Sequence, residues 1–473
     1  MTAPQSQIWE TWSDLVKQQR GKPALHLRPS NEILTFGEVD ELTRHWSEAL
    51  RGQTLRMGDR VLVRCGNTPH FIALFLSCMR LRKIFVPLES KTTHEQTRIL
   101  AERFAARALV TLRGVTPLAP ATGEISQPPA GTAVLQITSG STGEPRAAAC
   151  SEASLIADCA NLCGTMGIKS DDTSLAAISL AHRYGFGTLA LALVTQGTAM
   201  TLLEEFVPRA AIDAIVKTRG AVFPGVPFMY ECINDLSDPL PRWPSLRTCI
   251  SAGAPLTPEI ARKFHDRFGL KIHTLYGSSE CGGISYDASD EMDEIGQHVG
   301  TPMHNVNVDL EPGSDLRDTT GPAEGRIRVR GDNVGLGYWP KPTKDDKAAL
   351  GKGTFLTGDL GQFDEKGRIR IVGRIANFIN VAGKKVNPAA VEDCIRQLES
   401  VKHVAVLGAP DESRGEQVVA FVLADAKLGA ETVIAHCRKT LADYQIPRRV
   451  KFLKELPLSA RGKLEKKKLL EMI

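Results

Sequence analysis

The sequence predicts an α/β protein with a large N-terminal domain of parallel-type sheets, a small antiparallel subdomain and a small, mobile α+β domain at its C-terminal end. Three observations lead there. Between residues 60 and 268 short apolar runs alternate with amphipathic stretches of helical period, the pattern of buried parallel strands covered by helices on both faces. From about Asn305 the texture changes to short strand candidates and turns, and beyond Arg374 a compact series of helical and strand-like segments follows. At 473 residues the chain exceeds one ordinary core, so two or three packed units are expected.

Taken in order, the periodicity predicts a helix over 9–19, a strand over 23–27 and a helix after Thr35, where Thr35 and Glu38 have capping-box spacing. Strand 61–65, helix 69–81, strand 84–88, helix 93–106 and strand 108–112 follow. Residues 114–132, rich in Pro, Gly, Thr and Ala, read as a surface connection. A strand-like run over 131–137 leads into TSGSTGEPRAAA, and helical period returns at Ser154. Strands at 174–179, 198–203, 221–225 and 248–252 then alternate with helices at 187–196, 209–219, 228–236 and 258–268. Short strands are read in VNVDL, GRIRVRG and the two runs flanking a turn at 364–367. The tail reads as helix 388–398, strands 403–408 and 418–424, helix 431–441, strand 449–456 and a closing helix from Lys463. The expected division is a core over 1–373, with the small subdomain at 305–373, a hinge at 374–377 and a lid domain over 378–473.

Hydrophobic residues at 42% and charged residues at 24% are those of an ordinary globular protein, and a net charge of +4 implies no nucleic-acid partner. The basic run at 463–470 is accounted for by a solvated helix face. Ten cysteines form no C-x-x-C pair, and MTAPQSQIWE has no signal-like character, so reduced thiols in a cytoplasmic protein are expected. The longest apolar run, about nine residues, is too short to cross a bilayer.

Four stretches carry chemistry. In TSGSTGEPR, Gly140 and Gly143 allow consecutive N–H groups to turn towards one anion, and Thr138, Ser139, Ser141 and Thr142 add hydroxyl donors. The spacing is not that of a Gly-Lys-Ser/Thr P-loop. In LYGSSECGG, Glu280 sits at the tip of a turn after a strand; a carboxylate beside a phosphate cradle calls for a cation between them, and Mg²⁺ held by one carboxylate and phosphate oxygens is the usual solution. In TGDLG, Asp359 at a strand end is suited to accept two hydroxyls of a ribose diol. Arg374, ending a later strand, can reach the same ligand and start a hinge. In PLSARGKL a small-residue turn presents Lys463. Each alone reads as an ordinary loop or surface feature.

Together and in this order, TSGSTGEPR, LYGSSE, GLGYW, TGDLG, GR and SARGKL resemble the adenylate-forming superfamily of acyl-CoA synthetases, acyl-AMP ligases, adenylation domains and luciferases, over nearly the whole chain. The resemblance implies two half-reactions: a carboxylate attacks the α-phosphorus of ATP to give acyl-AMP and pyrophosphate, and a thiol then attacks the acyl-AMP. It implies that Thr138, Ser139, Gly140, Ser141, Thr142 and Gly143 hold the β- and γ-phosphates. Tyr276 would stack near adenine against Gly253, Ala254 and Pro255, in a strand end that continues through Gly277 and Ser278. Ser279, where Thr is usual, would touch the α-phosphate, Glu280 would hold Mg²⁺, and Asp359 and Arg374 would hold ribose. Lys463 would bridge the carboxylate and the α-phosphate, stabilising charge as it develops. His182, Phe186, Gly225, Phe228 and Gly282 would line the acyl pocket, and Ala376 would mark the hinge about which the tail rotates for thiol transfer.

Several positions depart from the family pattern. Arg146 replaces the cradle lysine, keeping charge but offering a planar fork; Ala147 replaces a glycine, Ala376 an Asp or Lys, Asn380 a Lys, and Arg326 a Glu. The leading expectation is a stand-alone acid–thiol ligase with CoA as acceptor. The alternatives are an acyl-AMP ligase that loads a separate carrier protein and a non-catalytic nucleotide-binding relative.

Overall fold

The computed structural model describes residues 6–119, 126–138, 145–237, 240–311, 324–375, 378–381, 384–411, 415–424, 428–455, 457 and 465–472. The parallel strands centre on buried apolar runs such as 61–63, Ile84–Pro87 and Val222–Gly225, as strands covered on both faces do. They build two sheets. One has seven strands in the order Gly337–Trp339, Arg146–Ser151, Thr132–Thr138, Ile84–Pro87, Arg60–Arg64, Ala108–Thr111 and Gly114–Pro117. The other has nine, in the order Thr301–Pro302, Gly282–Tyr286, Ile272–Ser278, Thr248–Ser251, Val222–Gly225, Thr173–Ala176, Ala199–Leu203, Pro23–Arg28 and Ile33–Thr35. Pairing is parallel inside both sheets and antiparallel at their edges. The expected capping box forms, with Thr35 Oγ1 accepting from Glu38 N.

Two runs differ from the sequence reading. Residues 114–117, read as connection, pair with Ala108–Thr111. More consequential is RAAACS, whose alanines favour helix intrinsically; it forms the strand Arg146–Ser151, antiparallel to Thr132–Thr138, and the helix Glu152–Met166 starts only afterwards. Neighbouring strands on both sides override the propensity, and small side chains are what the crowded position admits: Ala147 and Ala149 pack in one core cluster with Trp339 and Phe104. The candidate cradle therefore connects two strands of a hairpin rather than a strand and a helix.

By compactness the chain divides into one unit of Met1–Asp309, Arg328–Leu356 and Gly367–Ile369 and another of Leu310–Ile327, Thr357–Lys366 and Arg370–Ile473. The short strands read after residue 305 make a five-stranded sheet of Asn307–Glu311, Gly325–Arg330, Thr354–Phe363 and Leu350–Gly351, with Ile369–Arg374 beside Thr354–Phe363. Gly337–Trp339, from the same stretch of sequence, instead joins the seven-stranded sheet. In the second unit the order Lys384–Val386, Ile379–Val381, Gly415–Ala424, Val401–Asp411, with Arg449–Phe452 paired to Gly415–Ala424, forms an α+β body whose core includes Val391, Ile395, Val418, Val422 and Val433.

Within the first unit Asn67, just beyond the Arg60–Arg64 strand, ties one large sheet to the other. Its amide donates to the carbonyls of Ala176, Ile178 and Leu203 at 2.9–3.1 Å, and its oxygen accepts from Leu180 N at 2.9 Å. All these groups are buried, so Asn67→Ala should lower unfolding free energy by about 2 kcal/mol or more, read as a fall in the denaturant midpoint at constant m.

Candidate active site

The strands Ile272–Ser278 and Gly282–Tyr286 pair antiparallel, with Gly277 opposite Gly283, and Glu280 stands at the tip between them. The approach is too close for side chains: a Cβ on Gly277 would lie 2.5 Å from Gly282 O. The tip is stitched down from three places. Ser278 Oγ accepts from Glu280 N at 3.2 Å, Gly335 N donates to Glu280 O at 2.8 Å, and the fully buried Asn333 amide donates to Cys281 O at 2.7 Å and Gly283 O at 3.2 Å. Tyr338 Oη then donates to Glu280 Oε1 at 2.7 Å.

Tyr338 reaches that position because Gly337–Trp339 runs antiparallel to Arg146–Ser151 with Tyr338 opposite Ala148. Side chains alternate along a strand, so Tyr338 shares a face with Arg146 while Trp339 turns to the other. The Arg146 guanidinium lies 4.0 Å from the Tyr338 ring centroid and pairs with the Asp346 carboxylate. Asp346 also closes a capping box, accepting from Thr343 N at 3.0 Å while its own N donates to Thr343 Oγ1 at 3.1 Å. Burial, then the charge of Glu280, push the Tyr338 hydroxyl far above the usual phenol range, so it stays a donor. Burial pulls the Asp346 carboxyl upwards, but the hydrogen bonds from Thr343 and the charge of Arg146 outweigh it and hold the group below its ordinary value. Neither residue was singled out from sequence. The signals were there: Tyr338 lies in GLGYW, and Thr343 to Asp346 has capping spacing.

Behind the hairpin lies a buried ion pair that sequence reasoning also missed. Asp158 and Arg183 are 3.0 Å apart, both almost wholly excluded from water, and Asp158 Oδ1 accepts from Gly283 N at 2.9 Å. Gly282, at φ +73°, has no room for a Cβ, which would overlap the Asp158 carboxylate at 2.1 Å. Its missing side chain leaves the space that the Asp158 carboxylate fills.

Three further expected positions come together at the carboxyl ends of adjacent parallel strands. Gly225 closes Val222–Gly225, Gly253 to Pro255 follow Thr248–Ser251, and Tyr276, half-buried, lies near the end of Ile272–Ser278. Gly253 takes φ +82°, and a Cβ on Gly225 would press the Tyr230 ring at 3.0 Å. Phe228 is 45% exposed on the first turn of Pro227–Asn234. His182 caps Arg183–Gly185, with Nε2 2.5 Å from Glu89 Oε1. Phe186 is fully buried against Phe71, Phe75 and Phe85, so it can shape a pocket only from behind. Thr138 ends its strand half-buried, while Ser139, Gly140, Ser141, Thr142, Gly143, Ala376 and Lys463 lie outside the described residues.

In the second unit Asp359 and Arg374 meet, Arg374 Nε lying 2.6 Å from Asp359 Oδ1. One expectation is corrected: Asp359 is not at a strand end but inside Thr354–Phe363, since neither Gly358 nor Gly361 breaks the ladder. Thr357 Oγ1 accepts from Asp359 N at 3.1 Å and donates to Asp359 O at 3.2 Å, turning the chain locally without ending the strand. Asp359 is buried, and Arg374, at 65%, is the exposed partner.

Comparison with known proteins shows what the chain as a whole is similar to. Residues 12–339 match the family model described as AMP-binding enzyme, and residues 390–463 match that of the AMP-binding enzyme C-terminal domain. The chain is 30% identical over 482 residues to a feruloyl-CoA synthase of Amycolatopsis, covering 95% of this chain and 96% of that protein. It is 32% identical over 352 residues to a long-chain-fatty-acid–CoA ligase of Bacillus subtilis, covering 72% of this chain and 61% of that protein. In fold it is similar to ATP-bound MatB of Rhodopseudomonas palustris, with a TM-score of 0.83 over 98% of both chains at 23% identity.

The buried pair gives this site its test of integrity. Asp158→Ala leaves Arg183 buried and unpaired, and should cost about 3–5 kcal/mol of unfolding free energy by equilibrium denaturation.

Proposed function

Because the chain belongs to the AMP-binding enzyme family, we propose that it is an AMP-forming acid–thiol ligase that makes an acyl-CoA. The observation that carries this reading is the Glu280 tip held next to the Arg146 cation through one tyrosine, an acid and a base set together as polyphosphate and its counter-ion require. In the first half-reaction a carboxylate oxygen of the substrate attacks the α-phosphorus of ATP and the bond to pyrophosphate breaks. In the second, a CoA sulfur attacks the acyl carbon, the thiol proton leaves to solvent and AMP departs with the bonding electrons. A free carboxylate would have to expel oxide; AMP is the better leaving group, which is why the acid is adenylated first.

The roles follow the family pattern. Thr138 to Gly143 and Arg146 hold the β- and γ-phosphates, Tyr276 to Ser278 and Gly253 to Pro255 hold adenine, and Ser279 touches the α-phosphate. Asp359 and Arg374 hold ribose, and Lys463 stabilises the charge that grows on the α-phosphate. His182, Gly225 and Phe228 border the acid. A Mg²⁺ ion fits Glu280, whose carboxylate stands at the hairpin tip with Oε1 held by the Tyr338 hydroxyl, a hard-oxygen donor of the kind that such an ion takes beside phosphate oxygens and water. When bound, the ion neutralises phosphate charge. Rotation of the lid at 378–473 about Ala376 separates the two half-reactions. Among the described residues no helix is long and apolar enough to cross a membrane. The ten cysteines form no disulfide, which supports a reducing, cytoplasmic setting.

The reading is tested by pyrophosphate release from Mg-ATP with ferulic acid and with a long-chain fatty acid, each with and without CoA. Catalytic release that requires CoA, with the acyl-CoA formed, is expected. One turnover that CoA cannot discharge points to a carrier protein as acceptor, and no release with any acid contradicts an adenylating enzyme. Lys463→Ala should slow acyl-AMP formation on the order of a hundredfold or more while sparing thioester formation from supplied acyl-AMP.

A further inference from the structure

Arg146 is restrained beyond what a phosphate contact needs. A guanidinium offers donors along two edges and a flat face. Here Nη1 is engaged by Asp346 and the face is stacked on Tyr338. The remaining edge carries Nε, which is buried with no hydrogen-bond partner among the described residues. A buried donor left unmet is unfavourable until an acceptor arrives. Arg146 is the cross-strand partner of Thr138, the first residue of the stretch from Thr138 to Gly143 read as the phosphate cradle.

We infer that Asp346 is a positioning residue: by taking one edge of Arg146 while Tyr338 takes its face, it aims the Nε edge at an oxyanion of the ATP polyphosphate beyond the α-phosphate. The inference rests on the ATP-dependent reading above and extends it to a residue outside the quoted motifs. It also gives the Arg-for-Lys exchange a physical reason. An ammonium can bond a carboxylate and a phosphate together, but its three donors rotate about one point and it has no flat face to stack, so the carboxylate would not fix the direction in which it meets the phosphate. Asp346 does not repel the phosphate, because its charge is balanced by Arg146 and by the Thr343 cap.

The test is calorimetric titration of the full chain with Mg-ATP and, separately, with AMP, which lacks the phosphates in question. Asp346→Asn keeps an amide oxygen to cap Thr343 and removes the charge that aligns Arg146. It should weaken Mg-ATP on the order of tenfold and leave AMP affinity unchanged. Arg146→Lys should do the same, and the double variant should lose little more than either single one, because both remove one interaction. A thermal unfolding curve checks each fold, and if Asp346→Asn fails to fold, Arg146→Lys carries the ATP-against-AMP comparison alone. Equal losses for ATP and AMP, an unaltered Asp346→Asn, or fully additive losses would overturn the inference while leaving the ligase reading standing. A wild-type chain that binds neither nucleotide would overturn both.

Discussion

The antiparallel pairing of Gly337–Trp339 with Arg146–Ser151 is the constraint on which the candidate site depends. Three residues of strand, recruited from a distant part of the sequence, settle three things through the alternation of side chains, and Gly335 just before them adds a fourth. Trp339 faces the core, stacks on Phe104 at 5.7 Å and donates Nε1–H to Ser126 O at 2.9 Å, anchoring the strand by burial. Tyr338 faces the opposite way and so covers Arg146 and bonds Glu280. Gly335 lies so close to Ala149 O and Glu280 O that a Cβ would meet them at 3.0 and 2.9 Å, which holds the hairpin tip against the sheet. A one-residue slip would reverse the directions of Tyr338 and Trp339.

Behind this clamp the fold places a charge pair where an apolar core would otherwise suffice. Asp158, on Glu152–Met166, and Arg183, on the short helix beside the fully buried Phe186, are matched to each other and to the Gly283 amide. Such pairs add little net stability compared with apolar packing but penalise any arrangement that parts them. Their effect here is to register the Gly282–Tyr286 strand against two helices. Glu280 then extends from an over-determined hairpin, so its carboxylate is preorganised rather than gathered on binding.

Much of this was legible in the sequence. The α/β layering followed from apolar runs of strand length, and the Thr35 cap and the Pro258–Phe268 helix appear where spacing predicted them. Glu280 was singled out because a carboxylate beside a phosphate cradle calls for a cation, and because LYGSSE stands in order with the other motifs. What stayed hidden is long-range. RAAACS looks helical by propensity, and only its sheet neighbours make it a strand. Asp158, Arg183 and Asn333 have partners 25, 50 or 52 residues away, and nothing in their local sequence marks them; the capping spacing of Asp346 is local, but its pairing with Arg146, 200 residues away, is not. Asp359 was misplaced at a strand end because glycines flank its motif, although the ladder continues through them.

We propose that the Gly337–Trp339 strand holds Glu280 and Arg146 so that both serve one metal-bound polyphosphate. Crystals grown with Mg²⁺ and a non-hydrolysable ATP analogue test it most directly. The expected complex has a metal ion about 2.1 Å from a Glu280 carboxylate oxygen, Tyr338 still bonded to the same side chain, and Arg146 on a phosphate beyond the α position. A nucleotide bound with Glu280 turned away from the metal, or with Arg146 left facing only Asp346, would contradict it.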